Sequence, residues 1–154
     1  MVLRWVWLVG VVGAGTLVAG LAVTPAVEAA HELEGRDIVA GEALYGEFCA
    51  SCHGANLEGQ PNWQRQNADG TLPAPPHDVT GHTWHHGNRH LFDYTKLGGA
   101  AFMEGFGMPN FKSAMPAFGD TLSDDDIWDV LAFIQSTWPE RAQEIQAARN
   151  PPHD

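Results

Sequence analysis

Cysteine is scarce in this chain: two residues among 154, Cys49 and Cys52. That scarcity excludes a four-thiolate zinc site. Both cysteines fall in one short motif, so no structural disulfide is left to staple the fold, and the compartment cannot be read from cysteine pairing. Basic residues are also few, 8 Lys and Arg against 19 Asp and Glu, for a formal net charge of −11. With no basic stripe to neutralise phosphates, nucleic acid is excluded as a partner. The acidity serves solubility at least as well as it serves steering toward a partner. No run alternates apolar and polar residues long enough to argue for a sheet, and no segment repeats. The length bounds one domain plus extensions, small enough that a buried cofactor would supply much of the core.

What the chain does have is Cys49-Ala50-Ser51-Cys52-His53. C-x-x-C-H is the attachment motif of a c-type haem. Two thiols three positions apart reach the vinyl groups on one porphyrin edge and form thioethers, and the next imidazole is then held under the iron as proximal ligand. A C-x-x-C redox pair or half of a zinc site is the rival reading, but either leaves His53 unexplained.

Arg4 precedes a run from Trp5 to Val27 with no charged residue. A signal-peptide core has about 7–15 apolar residues and a spanning helix needs about 20. The run is long for the first and adequate for the second. Val27-Glu28-Ala29 offers a small-residue cleavage pattern after Pro25, so residues 1–30 are expected to be a signal peptide or an N-terminal membrane anchor spanning 5–27. Either way the remainder is expected to be exported, because positive charge precedes the run and acidic residues follow it. The expected location is the periplasm, soluble after cleavage or anchored to the inner membrane.

Residues 31–36 read as a polar linker. Asp37 is the expected cap of a helix carrying Ile38, Leu44, Tyr45 and Phe48 near one face. From Asn56 to Pro76 the chain has loop chemistry, with Asp69-Gly70 marking a tight turn. Asn88 is the expected N-cap of a short helix with Leu91, Phe92, Thr95 and Lys96, stopped by Gly98-Gly99 and followed by a loop holding Gly105, Gly107 and Pro109. Ser123 caps the clearest helix: Asp124, Asp125 and Asp126 complement its dipole, and Ile127, Val130, Leu131 and Ile134 form its apolar stripe. Pro139 closes or kinks it, and 139–154 reads as a polar tail, helical from Arg141 to Arg149. The pattern is all-α with long loops, unusual in a small domain without a cofactor to wrap.

Residues 37–138 resemble the class I mono-haem cytochrome c family. Gly41-x-x-x-Tyr45-x-x-x-Cys49 is similar to the family's N-terminal helix, whose glycine permits close crossing by the C-terminal helix. Leu131-Ala132-Phe133-Ile134 is similar to that partner, and Ser113-Ala114-Met115-Pro116-Ala117-Phe118-Gly119 resembles the segment carrying the axial methionine. The resemblance implies a small all-α cytochrome c fold of three to five helices around one covalent haem c, with electron transfer as its activity and redox proteins, expected to carry a basic docking face, as partners. It implies no catalytic residue. Met115 suits the sixth position, since a soft neutral thioether favours ferrous iron and raises the potential relative to a second imidazole. Met108 is also followed by proline and competes, but Phe118-Gly119 and the helix start follow Met115 at the family's distance. In the family a proline carbonyl fixes the other nitrogen of the proximal imidazole, and Pro75 and Pro76 are both candidates here.

The departure from a plain cytochrome runs from Pro73 to His90. His82, His85, His86 and His90, four histidines within nine positions, offer imidazoles that copper or zinc accepts, or one alternative haem ligand. The plainer reading is a polar loop over the haem edge, with Trp84 on the ring or its propionates, because loop histidines lack the fixed spacing of a helical metal motif. Trp63 and Trp128 read as core. Two other functions compete with electron carriage: an open or His-ligated iron that binds peroxide or a small gas, and a copper-handling module built on the His82–His90 loop.

Overall fold

Asp37 opens the first helix. Its carboxylate accepts hydrogen bonds from the backbone N–H groups of Val39 at 3.1 Å and Ala40 at 2.9 Å, covering donors that every helix leaves unpaired at its start. The computed structural model describes residues 32–150. It contains α1 (Ile38–Phe48), α2 (Ala50–His53), a short 3-10 turn (Thr83–His85), α3 (Asn88–Leu97), α4 (Gly99–Gly105), α5 (Asp124–Ser136) and α6 (Glu140–Ala147). No strand occurs among the described residues, so the all-α expectation holds. None of their helices is long and apolar enough to cross a membrane. The run Trp5–Val27 and the cleavage pattern after it lie outside the described residues.

The frame is the crossing of α1 over α5. A Cβ on Gly41 would stand 2.6 Å from the Asp129 carbonyl carbon and 3.1 Å from Phe133 Cβ, so only glycine lets the two backbones approach this closely. Beside the crossing, Tyr45 and Phe133 pack as a tilted pair with centroids 5.5 Å apart. α5 then feeds two apolar clusters. Ile127, Trp128 and Leu131 join Phe92 and Leu122 on one side. Val130 and Ile134 join Tyr45, Leu57 and Trp138 on the other, and Leu44 touches both. The cap of α5 is as the sequence predicts: Ser123 Oγ accepts from Asp126 N–H at 3.2 Å, and the Asp126 carboxylate accepts from Ser123 N–H at 2.9 Å.

Several local expectations are corrected. Ile38 stays at the surface. The linker 31–36 is tied to the body, with Leu33 buried in the first cluster and Arg36 Nη1 2.7 Å from Asp125 Oδ1. Gly98, at φ +77°, ends α3 but does not begin a loop; the chain re-enters helix at once as α4, where Ala100, Ala101 and Met103 are good helix formers. Gly87, not Asn88, occupies the cap position of α3. Asn88 is buried in the first turn because its Oδ1 accepts from Gln146 Nε2 at 2.6 Å. That bond belongs to a further finding. The tail is helical as expected, but α6 is packed on the body and buries Ala142 and Gln146 against the 3-10 turn and the start of α3. Gln146 is fully buried, yet its amide oxygen accepts from Gln135 Nε2 at 2.9 Å and its Nε2 also reaches His86 O at 3.2 Å, so no polar group on it is wasted.

Two glycines on α1 test the crossing. Gly41→Ala should lower the stability of the intact protein by about 1–3 kcal/mol through overpacking. Gly46→Ala on the same helix, where a Cβ meets nothing within 4 Å, should raise it by up to about 1 kcal/mol. Denaturant titration of both variants checks the opposite signs.

Candidate functional site

Cys49 ends α1 and α2 follows directly, so the motif occupies a tight helical turn. His53 N–H donates to Cys49 O at 2.9 Å, and Gly54, at φ +83°, stops the turn. Cys52 is exposed, Cys49 half-buried and His53 buried. The thiols are not bonded to each other. Burial, with a smaller contribution from Cys52, pushes the Cys49 thiol up to about 11. Tyr45 Oη donates to Gly54 O at 2.9 Å and holds the end of the motif against α1.

His53 Nδ1 lies 2.9 Å from the carbonyl oxygen of Pro75. A carbonyl only accepts, so Nδ1 carries the proton and Nε2 keeps a free lone pair. Burial lowers the imidazole pKa, an effect opposed by the Pro75 bond. Of the two prolines the sequence left open, Pro75 makes this contact. The Pro76 carbonyl instead faces the Thr83 hydroxyl at 3.4 Å. The proline segment reaches His53 because glycines let it pass. A Cβ on Gly59, at φ +68°, would stand 2.7 Å from the Pro75 carbonyl carbon, and one on Gly81 would stand 2.8 Å from that of Pro76. The long loop between is pinched at its base, where Gln60 N–H donates to Ala74 O at 2.8 Å and Ala74 N–H to Gln60 Oε1 at 2.9 Å. Its tip is the turn Asn67-Ala68-Asp69-Gly70, where Lys112 Nζ donates to Asp69 O at 2.6 Å and ties this loop to the one that leads to Met115.

Met115 is half-buried in a segment laid along the α3–α4 joint. Gly99 N–H donates to Met115 O at 3.2 Å, Phe118 N–H to Thr95 O at 3.1 Å and Gly119 N–H to Lys96 O at 3.0 Å. Gly98-Gly99 is therefore a platform as well as a break: a Cβ on Gly98 would stand 2.7 Å from Ala117 N. Met108 sits in an exposed turn after α4, next to the exposed Phe106.

The four histidines of the loop do not converge. His82 stacks on Trp63 with centroids 5.4 Å apart, meets His86 edge-on at 5.3 Å, and His86 stacks on His90 at 4.3 Å. His85 instead lies against Trp84 at 3.7 Å. Among the described residues no group of three or more His, Cys, Asp or Glu side chains is arranged to hold a metal ion. Trp128 is core, stacked on Phe92 at 4.3 Å. Trp63 is not: it is half-buried, outside both clusters, and covers His82. Trp84 Nε1 is buried with no hydrogen-bond partner, and among the described residues it is the sole buried side-chain nitrogen or oxygen so left. An orphaned donor of this kind costs about 1–3 kcal/mol unless something outside the polypeptide accepts from it. A cofactor with peripheral carboxylates would bring such an acceptor.

Sequence reasoning passed over His77. Its ring stacks on that of His53 with centroids 4.0 Å apart and an interplanar angle of 20°. The only signal was position, two residues beyond Pro75.

The stacked imidazoles carry a pH dependence. Burial first, then the neighbouring His90, His82, His85 and Arg149, pushes His86 down to about 4. An unfolded imidazole protonates near pH ~6.5, so the unfolded state takes up protons that the folded state refuses. This contribution to stability is complete above pH ~6.5 and is lost as pH falls toward 4. His86→Phe, which keeps a flat ring, should lose less melting temperature between pH 7 and pH 4.5 than the unmutated protein; equal losses would deny His86 this role.

The family model for cytochrome c matches residues 38–138. A thiosulfate dehydrogenase of Allochromatium vinosum is similar, 34% identical over 129 residues that make up 83% of this chain and 40% of that protein. The chain thus spans well under half the length of that relative. No solved structure matches. Members of the matched family bind haem c covalently, and Cys49 and Cys52 stand at the C-x-x-C spacing such attachment uses. With its motif, its α1–α5 crossing and that match, the chain belongs to the cytochrome c family.

Proposed function

We propose that this domain is an exported single-electron carrier that holds one haem c through Cys49 and Cys52, with His53 and Met115 as axial ligands. The observation that carries the reading is the 2.9 Å contact of His53 Nδ1 with Pro75 O, which leaves Nε2 as a lone-pair donor at the end of the attachment motif. When bound, haem c supplies a one-electron iron couple. The chain's part is attachment, orientation and exclusion of water. Cys49 and Cys52 would hold the group covalently, Trp84 Nε1 would offer it a hydrogen bond, and the backbone bonds around Met115 hold the thioether segment against α3 and α4. Met115 is favoured over Met108 because its segment is pinned while Met108 is exposed. A pinned thioether segment opposite a single imidazole leaves no iron position assigned to a substrate. Those features suit a carrier, or a subunit that passes electrons for an oxidoreductase, more than a catalyst on its own.

The similarity to a thiosulfate dehydrogenase supports a place in such a chain, with this domain relaying electrons to or from a partner oxidoreductase. The net charge of −11 favours a partner with a basic docking face. Export rests on the uncharged run Trp5–Val27 that follows Arg4.

Optical spectra of the oxidised and reduced holoprotein test the ligand pair. A thioether on ferric iron gives a weak far-red band that bis-histidine and open sites lack. Met115→Ala should abolish that band, lower the reduction potential and admit carbon monoxide, while Met108→Ala should leave all three nearly unchanged. The reverse result would transfer the ligand to Met108. Rapid binding of carbon monoxide by the unmutated protein would contradict the carrier and favour a ligand-binding iron.

A further inference from the structure

One hydrogen bond does not fix the plane of an imidazole. The contact of His53 Nδ1 with Pro75 O sets which nitrogen faces outward, but the ring can still rock about that bond. A second constraint is needed, and the fold supplies a surface for it. The ring of His77 lies nearly parallel to that of His53, with centroids 4.0 Å apart and planes 20° from each other.

His77 is itself held from four directions. Its N–H donates to Leu57 O at 2.8 Å. Its carbonyl accepts from the indole Nε1 of buried Trp138 at 2.7 Å, which joins it to the end of α5. Its Nδ1 lies 2.8 Å from the hydroxyl of buried Thr83, on the 3-10 turn that also carries Trp84. The Tyr45 ring meets it edge-on at 6.3 Å. Leu57, Trp138 and Tyr45 all belong to the second core cluster. The position of this ring is therefore set by the body of the domain and not by the loop alone.

We propose that His77 is a positioning residue for His53: a flat plate, anchored to Trp138 and Thr83, that fixes the plane of the proximal imidazole. An aliphatic side chain at 77 would fill similar space but present no flat face and leave the Thr83 hydroxyl without its imidazole partner. The proposal rests on His53 being the proximal ligand, and the experiment separates the two.

The test is the low-spin ferric signal of the haem-loaded protein in electron paramagnetic resonance, whose g-values follow the orientation of the axial imidazole, measured with the reduction potential and the haem content per chain. His77→Leu should load haem but give a shifted, broadened signal and a shifted potential. His77→Phe, which keeps a flat ring but loses the bond to Thr83, should give a signal clearly narrower than that of His77→Leu and similar to that of Thr83→Val. Thr83→Val, which removes the hydroxyl anchor and keeps the plate, should broaden the signal less than His77→Leu does. If the Leu variant loads haem and its signal and potential match the unmutated protein, His77 is only core and the proposal falls, while the reading of His53 stands. If the Phe variant is displaced as far as the Leu variant, the flat ring is not what matters and the proposal also falls. An unmutated protein with no low-spin haem signal would take down the reading of His53 and this proposal together.

Discussion

A carbonyl oxygen has no proton to give, and the geometry of this domain turns on that fact at one point, where Pro75 O meets His53 Nδ1 at 2.9 Å. The contact decides the tautomer of a buried imidazole and so decides that Nε2 is the nitrogen available to a metal. Much of the surrounding structure brings these two groups together. Gly59 and Gly81 let the proline segment pass close to the motif, the Gln60–Ala74 bonds pinch the loop that delivers it, and Tyr45 Oη holds the end of the motif at Gly54. None of these contacts contributes much alone, since a hydrogen bond nets about 0.5–1.5 kcal/mol. Their common effect is to place one lone pair.

The helices beneath serve as a chassis. The crossing of α1 and α5 at Gly41 fixes the direction in which α1 delivers Cys49, and α5 spreads its apolar residues into both core clusters. α6 extends the chassis to the histidine-rich segment through Gln146, whose buried amide reaches Asn88, Gln135 and the His86 carbonyl. The 3-10 turn between them carries Thr83 and Trp84, so one short element supports both the ring beside His53 and the unpartnered indole nitrogen. On the acidic surface Lys96 pairs with Asp124 at 2.6 Å, and exposed pairs of that kind add at most about 1 kcal/mol. Such pairs contribute little to the stability of the fold.

Features written in local chemistry were legible in the sequence. Asp37 and Ser123 cap where their side chains predict, the stripe Ile127, Val130, Leu131 and Ile134 is buried, and Gly41 lies at the crossing that the family resemblance implied. Features set by distant partners were not. Which proline carbonyl turns to His53 depends on glycines 59 and 81, and Asn88 reads as a cap until Gln146, on a helix read as a tail, takes its side chain. Gly98-Gly99 looked like a stop because a positive-φ glycine ends a helix, yet nothing in that rule prevents the next residue from starting another. Density of imidazoles left a metal site open beside the plainer reading of a polar loop, and the rings stack on Trp63 and on one another or tilt against Trp84. His77 was one histidine among many until the fold laid it on His53.

The central claim is that Cys49 and Cys52 hold one haem by covalent bonds, with His53 beneath it. The most direct measurement is the mass of the denatured chain after expression with a haem-attachment pathway. The account predicts the polypeptide mass plus one haem, with the addition mapping to the peptide that contains Cys49-Ala50-Ser51-Cys52-His53. A mass equal to the bare polypeptide, or haem that washes away on denaturation, would contradict it.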